Sequence, residues 1–111
     1  MPEEIKTSSG INQNVAGLLC YLAGWITGLI FFLIEKENRF VRFHAMQSII
    51  TFGGLSALSM VLTWIPFFGW FIVVSVIPLV GLVLWIVLMV KAYQGELFKL
   101  PIIGDIAEKN I

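Results

Sequence analysis

Two long uncharged stretches dominate the pattern of hydrophobic and polar positions along the chain. Residues 45–90 contain no Asp, Glu, Lys or Arg. As one helix this stretch would be about 69 Å long, more than twice the thickness of the roughly 30 Å hydrocarbon core of a bilayer. Pro66 and Gly69 divide it, because Pro lacks a backbone donor and Gly tolerates unusual dihedrals. The stretch therefore predicts two membrane-spanning helices joined by a turn.

Residues 15–34 form a second uncharged run, which has the length of one crossing. The pattern as a whole predicts a single all-α membrane domain over residues 1–111, because an open sheet edge cannot face lipid. Its predicted parts are a polar tail (1–14) with a helix cap at Asn12 or Asn14, three transmembrane helices (15–34, 41–65 and 69–91) and a cytoplasmic or interfacial tail (96–111). Pro78 is expected to kink the third helix or open a turn in it.

The carboxyl tail has two interpretations. A helix starting at Pro101 would place isoleucines on one face and charged residues on the other, which favours a short helix lying on the bilayer surface. The alternative is a frayed, solvated tail, because three turns are too few for a stable helix in water. The apolar face would consist of Ile102, Ile103, Ile106 and Ala107.

The distribution of cations predicts an orientation. With three crossings, the amino tail and the Pro66 turn share one side, which holds only Lys6. The other side holds six cations: Lys36, Arg39, Arg42, Lys91, Lys99 and Lys109. By the positive-inside rule the amino terminus is expected outside and the carboxyl terminus in the cytoplasm.

Composition supports a membrane protein, and it bears on possible partners, on a signal peptide and on disulfide bonds. The chain is 59% hydrophobic and only 13% charged, with a formal net charge of zero, so nothing points to nucleic acid as a partner. The amino terminus has Glu3 and Glu4 beside Lys6, which does not suit a cleavable signal peptide. The single cysteine, Cys20, has no internal disulfide partner.

Three glycines, Gly17, Gly24 and Gly28, would share one face of the first predicted helix. Glycine lets two helix backbones approach closely. The face could therefore bind a second copy of the chain or pack against the other two helices. We favour packing within the chain, because three helices must first pack on themselves.

A stripe of polar side chains is predicted along the second helix. It could form a groove for a substrate or ion, or it could hold helices together by hydrogen bonds, and we favour the second interpretation. The stripe consists of His44, Gln47, Ser48, Ser56, Ser59 and Thr63.

No catalytic residues, metal site or cofactor site is predicted. No carboxylate lies within a predicted helix, and the only histidine is at the membrane edge, so acid–base or nucleophilic catalysis lacks its components. One histidine and one cysteine at different depths do not make a metal site. The sequence therefore predicts a protein that is not an enzyme.

Two short motifs carry a family resemblance. The first is Phe43-His44-Ala45-Met46-Gln47-Ser48, and the second is Lys91-Ala92-Tyr93-Gln94-Gly95-Glu96, followed by Pro101. Together with the three-span pattern they resemble a prokaryotic family of small membrane proteins of unknown function, which is similar to the chloroplast inner-envelope import component Tic twenty. The resemblance implies a helical protein of the prokaryotic plasma membrane, with His44 and Gln47 opening helix two and Gly95 and Pro101 ending helix three. The plastid relative implies a role in protein translocation.

The function predicted from the sequence is that of a small multi-pass membrane protein that acts without enzymatic activity. Its expected partners are membrane lipid and other membrane proteins or itself. The alternative is a subunit of an oligomeric pore or protein-translocation assembly, in which the polar stripe would face a shared axis.

Overall fold

The computed structural model describes residues 10–111 of the chain, and residues 1–9 of the predicted polar tail lie outside the described part. This part is helical and contains no strand, in agreement with the predicted all-α class. In chain order the elements are α1 (Gln13–Leu22), α2 (Trp25–Ile34), α3 (Arg39–Leu62), α4 (Phe68–Phe71), a π-helical segment (Ile72–Val76), α5 (Ile77–Tyr93) and α6 (Ile103–Lys109).

Asparagine caps begin two of the helices. The Asn12 side chain accepts hydrogen bonds from the backbone N–H groups of Asn14 and Val15, at 2.9 and 3.4 Å, so Asn12 is the cap of α1. Asn38 caps α3 in the same way by accepting from Val41 N at 3.1 Å. Both caps satisfy backbone donors that the first turn of a helix leaves without an intrahelical acceptor.

The prediction of one continuous helix over residues 15–34 is wrong. Gly24 has φ 63°, in the left-handed region that suits glycine, and the helix stops at Leu22 and restarts at Trp25. Each of the two resulting helices has 10 residues, which is about 15 Å of helix and half the thickness of the hydrocarbon core. Neither α1 nor α2 is long enough to cross a bilayer.

The two short helices fold back on each other as a hairpin. The Asn38 side chain donates a 2.9 Å hydrogen bond to Gln13 Oε1, so the start of α1 lies beside the start of α3. Farther along, Cys20 of α1 lies against Val41 of α3, while Gly28 of α2 lies against Ala45. Therefore α1 runs parallel to α3, and α2 returns antiparallel to it.

Within residues 10–111, two helices are long and apolar enough to cross a membrane: Arg39–Leu62 and Phe68–Tyr93. The turn between them, predicted around Pro66 and Gly69, includes Phe67 at φ 61°, and Gly69 packs closely against Leu62. The second of these helices contains the π-helical segment just before Pro78. A wider turn there is a local adjustment of the kind that accommodates proline in membrane helices.

Because of the hairpin, the start of α1, the start of α3 and the end of α5 lie at the same end of the molecule. Gln13, Asn38 and the last turn of α5 lie together, since Ala92 packs against Gly17. We call this the charged end, and the end at Pro66 the turn end. The amino-terminal end of α1 thus lies at the opposite end of the molecule from the Pro66 turn. The expectation of an external amino terminus assumed that these two parts share one side, so that assumption does not hold.

The molecule is long and thin, measuring 52 × 22 × 22 Å. Its buried core lies toward the charged end, where α1, α2, α3 and α5 pack around Tyr21, Val41 and Leu88. Toward the turn end only α3 and the α4–α5 segment remain, and large apolar side chains such as Met60 and Phe67 are exposed. Such a surface is compatible with contact to lipid chains.

Candidate functional site: a buried polar network

Three polar side chains meet in the middle of the core. Tyr21 comes from α1, and His44 and Gln47 come from one face of α3, three residues apart. All three are 0% exposed. Buried polar groups are costly unless they are hydrogen-bonded, so their partners decide what this site can do.

Gln47 binds the backbone of the segment that follows α5. Its Nε2 donates to Phe98 O at 2.9 Å, and its Oε1 accepts from Leu100 N at 3.0 Å. The second hydrogen of Nε2 is donated to the hydroxyl of Tyr21 at 3.0 Å. The Gln47 amide thus holds two backbone groups and one side chain at once.

The partners of His44 determine its tautomer. Its Nε2 lies 2.9 Å from Glu96 O, and because a carbonyl only accepts, Nε2 must carry the proton and donate. In the neutral ring Nδ1 is then an acceptor, and it receives the Tyr21 hydroxyl hydrogen at 2.7 Å. The bonds therefore form one chain in a fixed direction, from Leu100 N–H through Gln47, Tyr21 and His44 to Glu96 O.

Aromatic rings enclose this histidine. Phe40, Phe43 and Tyr21 each meet its ring edge-to-face, with centroids 4.6, 5.2 and 5.5 Å away. These contacts fix the ring plane, so the two nitrogens stay aimed at Tyr21 and Glu96. The result is a rigid network that attaches residues 96–100 to the bundle, with each bonding nitrogen of His44 engaged.

A second set of polar side chains stabilises the break between α1 and α2. Ser48 Oγ donates to Gly24 O at 2.9 Å, and Trp85 Nε1 lies 2.8 Å from Tyr21 O and 3.2 Å from Leu22 O. Thr27 Oγ1 accepts from Ala23 N at 3.1 Å. Helix ends inside a membrane need such partners, because lipid supplies none.

The predicted polar stripe is divided between two environments. His44, Gln47 and Ser48 are buried and bind other parts of the chain. Toward the turn end, Ser59 Oγ donates to Leu55 O within α3, and Thr63 Oγ1, in the residue that follows α3, donates to Met60 O. Ser56 is exposed, so the six residues do not line one common groove.

The three glycines no longer share a face, because the break falls at Gly24. A Cβ at Gly17 would come 2.9 Å from the Phe40 ring, and one at Gly28 would come 2.9 Å from Ala45 O and Ser48. Both glycines therefore allow close packing against α3 of the same chain.

An open cleft of about 350 Å³ lies beside the helix break, between α2, α3 and α5. It is lined by Ala23, Gly24, Trp25, Phe52, Leu55, Ser56, Ser59, Ile77 and Gly81. Within residues 10–111 no group of three His, Cys, Asp or Glu side chains could hold a metal ion, in the cleft or elsewhere.

Sequence reasoning missed several residues that build these sites. Tyr21 and Trp85 were counted with the apolar spans, although each has a polar tip that needs a partner when buried. Glu35 directly follows the uncharged run 15–34, yet it is 0% exposed, and its Oε2 accepts from the backbone N–H groups of Glu37 and Asn38. Tyrosine or tryptophan within a span is the signal that could have pointed to the network.

The carboxyl tail has its own electrostatic contact. Lys99 Nζ donates to Glu108 Oε1 at 2.8 Å, on the surface of the molecule. This hydrogen bond raises the pKa of Lys99 and lowers the pKa of Glu108. The pair joins the extended segment before α6 to the last turns of α6.

The chain is similar to one protein family and to several archaeal membrane proteins. The magnetosome magnetite crystal formation protein family matches residues 6–107. A UPF0132 membrane protein of Methanocaldococcus jannaschii is 57% identical over 104 residues, covering 94% of this chain and 93% of the relative. Another from that organism is 50% identical over 100 residues (90% and 71%), and one from Archaeoglobus fulgidus is 54% identical over 104 residues (91% and 97%). No solved structure matches the chain.

Proposed function

Because this chain belongs to the magnetosome magnetite crystal formation protein family and its relatives are named membrane proteins, we propose that it is a non-enzymatic membrane component with two crossings. It acts by associating with itself or with other membrane proteins. The names of its relatives support a membrane location for this chain and nothing more specific. The similarity to Tic twenty, with its translocation role, stays a prediction from the two sequence motifs.

The hydrogen bond between Asn38 and Gln13 supports two crossings in place of three. It requires α1 and α2 to enter and leave on one side, as a hairpin that reaches about halfway through the bilayer. The crossings are then Arg39–Leu62 and Phe68–Tyr93. Irregular backbone at this depth is tolerated where protein covers it, as Ser48 and Trp85 do at the break.

Two crossings also put all cations of the described residues on one side of the membrane. The six cations of the described residues lie on segments that meet at the charged end, and residues 45–90, which include the turn end, have none. The positive-inside rule then places both termini in the cytoplasm. The amino terminus moves to the side opposite the one expected from three crossings.

The main support for a non-enzymatic role is that the polar atoms of Tyr21, His44 and Gln47 are hydrogen-bonded within the chain. His44 and Tyr21 are the groups best suited to acid–base chemistry, and both are fully buried and bonded within the chain. A general base must reach a substrate proton directly or through one water. Here the histidine Nε2 is directed at Glu96 O, which supports a structural task.

Association is supported by the surface near the turn end. Ser56 is an exposed residue of α3 that lines the cleft, and a Cβ at Gly54 would meet nothing within 4 Å. Polar groups at bilayer depth usually face protein or water, and small residues let helices approach. The pore hypothesis would place this surface on the axis of several chains.

Mild detergent extraction, followed by crosslinking and mass determination of the complex, tests the role. Complexes that contain this chain, alone or with other membrane proteins, support association. A ring of many copies that conducts ions in bilayers would favour the pore instead. A strictly monomeric chain that crosslinks to nothing in native membranes would contradict the proposal.

A further inference from the structure

The surface that holds residues 96–100 has the properties of a peptide-binding site. We call it the tail groove and define it by Tyr21, His44 and Gln47. Its contacts to the segment are hydrogen bonds to backbone atoms of residues 96, 98 and 100. This alternation follows the two-residue repeat of an extended chain. Such a groove recognises an extended backbone, with an apolar side chain at position 100 buried in the core.

The segment bound in the groove belongs to a tail that is held together internally. Lys99 bonds to Glu108, and Gly104 packs so closely on Lys99 that a Cβ there would come 2.5 Å from the lysine Cβ. The tail joins α5 through Gly95, whose φ is 80°. A glycine joint next to a self-contained unit lets the unit change direction without breaking its own contacts.

We propose that the tail groove also binds the tail of a second copy of this chain, in a reciprocal exchange that forms a dimer. The occupant fits because the same segment occupies the groove within one chain. Exchange replaces each hydrogen bond of the tail groove by an identical one. At the joint, Gly95 changes direction, and the hydrogen bond from Glu96 N to Lys91 O and the exposed Lys91–Glu96 ion pair are given up. This inference rests on the proposed associative role and names one partner and one contact for it.

Photocrosslinking of the full chain tests the exchange. One copy carries p-benzoylphenylalanine in place of Phe98, together with Gln47→Leu, which weakens its own groove. The other copy carries a different affinity tag, an intact groove and no probe. Both are expressed together in membranes and illuminated. We expect a covalent dimer bearing both tags, with the link mapped to α1 or α3 of the second copy.

The control reverses the groove mutation. When the probe copy has an intact groove and the second copy carries Gln47→Leu, the dimer yield should fall roughly tenfold, since the mutation removes two hydrogen bonds to the tail backbone. If Gln47→Leu does not fold, His44→Phe replaces it, because it removes the donor to Glu96 O and keeps a ring against Phe40 and Phe43. Equal yields in both mixtures, or links found only within one chain, would overturn tail exchange. Crosslinks to other membrane proteins would still support the associative role.

Discussion

Asn38 donates a hydrogen bond of 2.9 Å to Gln13, and this contact joins the first residue of α1 to the cap of α3. A continuous helix from Gln13 to Ile34 would be about 33 Å long and would separate them by the thickness of a bilayer. The contact therefore determines the path of the chain: a hairpin of two short helices precedes the two long helices.

The hairpin predicts which sites are reached from which side of the membrane. In a Cys20→Ser background, cysteines at Ser9 and Glu37 should react only from the cytoplasmic side, and a cysteine at Phe67 only from outside. An impermeant thiol reagent added to intact cells and to inverted vesicles measures this. Reaction of Ser9→Cys from the same side as Phe67→Cys would restore the topology of three crossings.

The packing of α2 on α3 predicts opposite results for two glycines. Gly28→Ala should destabilise the fold by about 1–3 kcal/mol, because its Cβ would come within 2.9 Å of Ala45 O and Ser48. Gly54→Ala is the matched control: nothing lies within 4 Å of its Cβ, and alanine favours a helix. Thermal unfolding in detergent measures both. If Gly28→Ala is as stable as Gly54→Ala, the close packing of the hairpin is not present in solution.

Two serines on α3 allow a hydrogen bond between segments to be compared with a hydrogen bond inside one helix. Ser48→Ala should cost about 1–2 kcal/mol of unfolding free energy, because it removes the 2.9 Å hydrogen bond to Gly24 O at the helix break and leaves the longer, 3.4 Å bond from Thr27 Oγ1. Ser59→Ala should cost less than about 0.6 kcal/mol, since Ser59 bonds only to Leu55 O of its own helix. Equal costs from the two substitutions would mean that the break does not depend on Ser48.

The helix break is the feature that the sequence could not predict. Residues 15–34 are continuously apolar, and Gly24 with Gly28 reads equally well as a packing motif within one helix. The break is stabilised by Ser48 and Trp85, which lie 24 and 61 residues farther along the chain than Gly24. Patterns within a 20-residue window cannot contain such partners.

The two long helices were easier to predict, because length, the turn at Pro66 and the effect of Pro78 are all local properties. His44 and Gln47 were identified as polar positions from the sequence. Their partners, the backbone of residues 96–100, became evident only from the folded chain. A backbone group carries no side-chain signal, so the tail groove has no signature in the sequence.

Acidification should loosen the tail through Glu108. Its pKa is lowered by the hydrogen bond from Lys99, so the pair stabilises the folded tail above the ordinary glutamate pKa of 4.5 and loses this effect as the pH falls through the lowered value. The pKa of Lys99 is raised, so its contribution persists past 10.5 and is lost only above the raised value. Hydrogen exchange of α6 amides, corrected for intrinsic rates, should therefore quicken slightly in acid. Glu108→Gln should remove the effect; an unchanged acid response in that variant would assign it to other carboxylates.

The last prediction concerns α6, where the structure divides the predicted isoleucine face. Ala107 is buried, whereas Ile102 is 74% exposed and Ile106 is 44% exposed. A helix whose free apolar side chains lie next to the charged end of a membrane protein can insert them at the bilayer surface. We expect Ile102 and Ile106 to anchor α6 there.

Protease protection of the tail measures this anchoring in the full chain. In vesicles, Ile102→Asp with Ile106→Asp should raise the rate of tail cleavage by roughly thirtyfold or more, because burial of each isoleucine contributes about 1–2 kcal/mol and every 1.4 kcal/mol or so is a factor of ten. Asp105→Ser is the control, since it alters the exposed polar side and should leave cleavage unchanged. The same comparison in detergent removes the bilayer and should show a smaller difference. A double variant that stays as protected as the native tail in vesicles would mean that α6 is held by the bundle alone, through contacts such as those of Ala107.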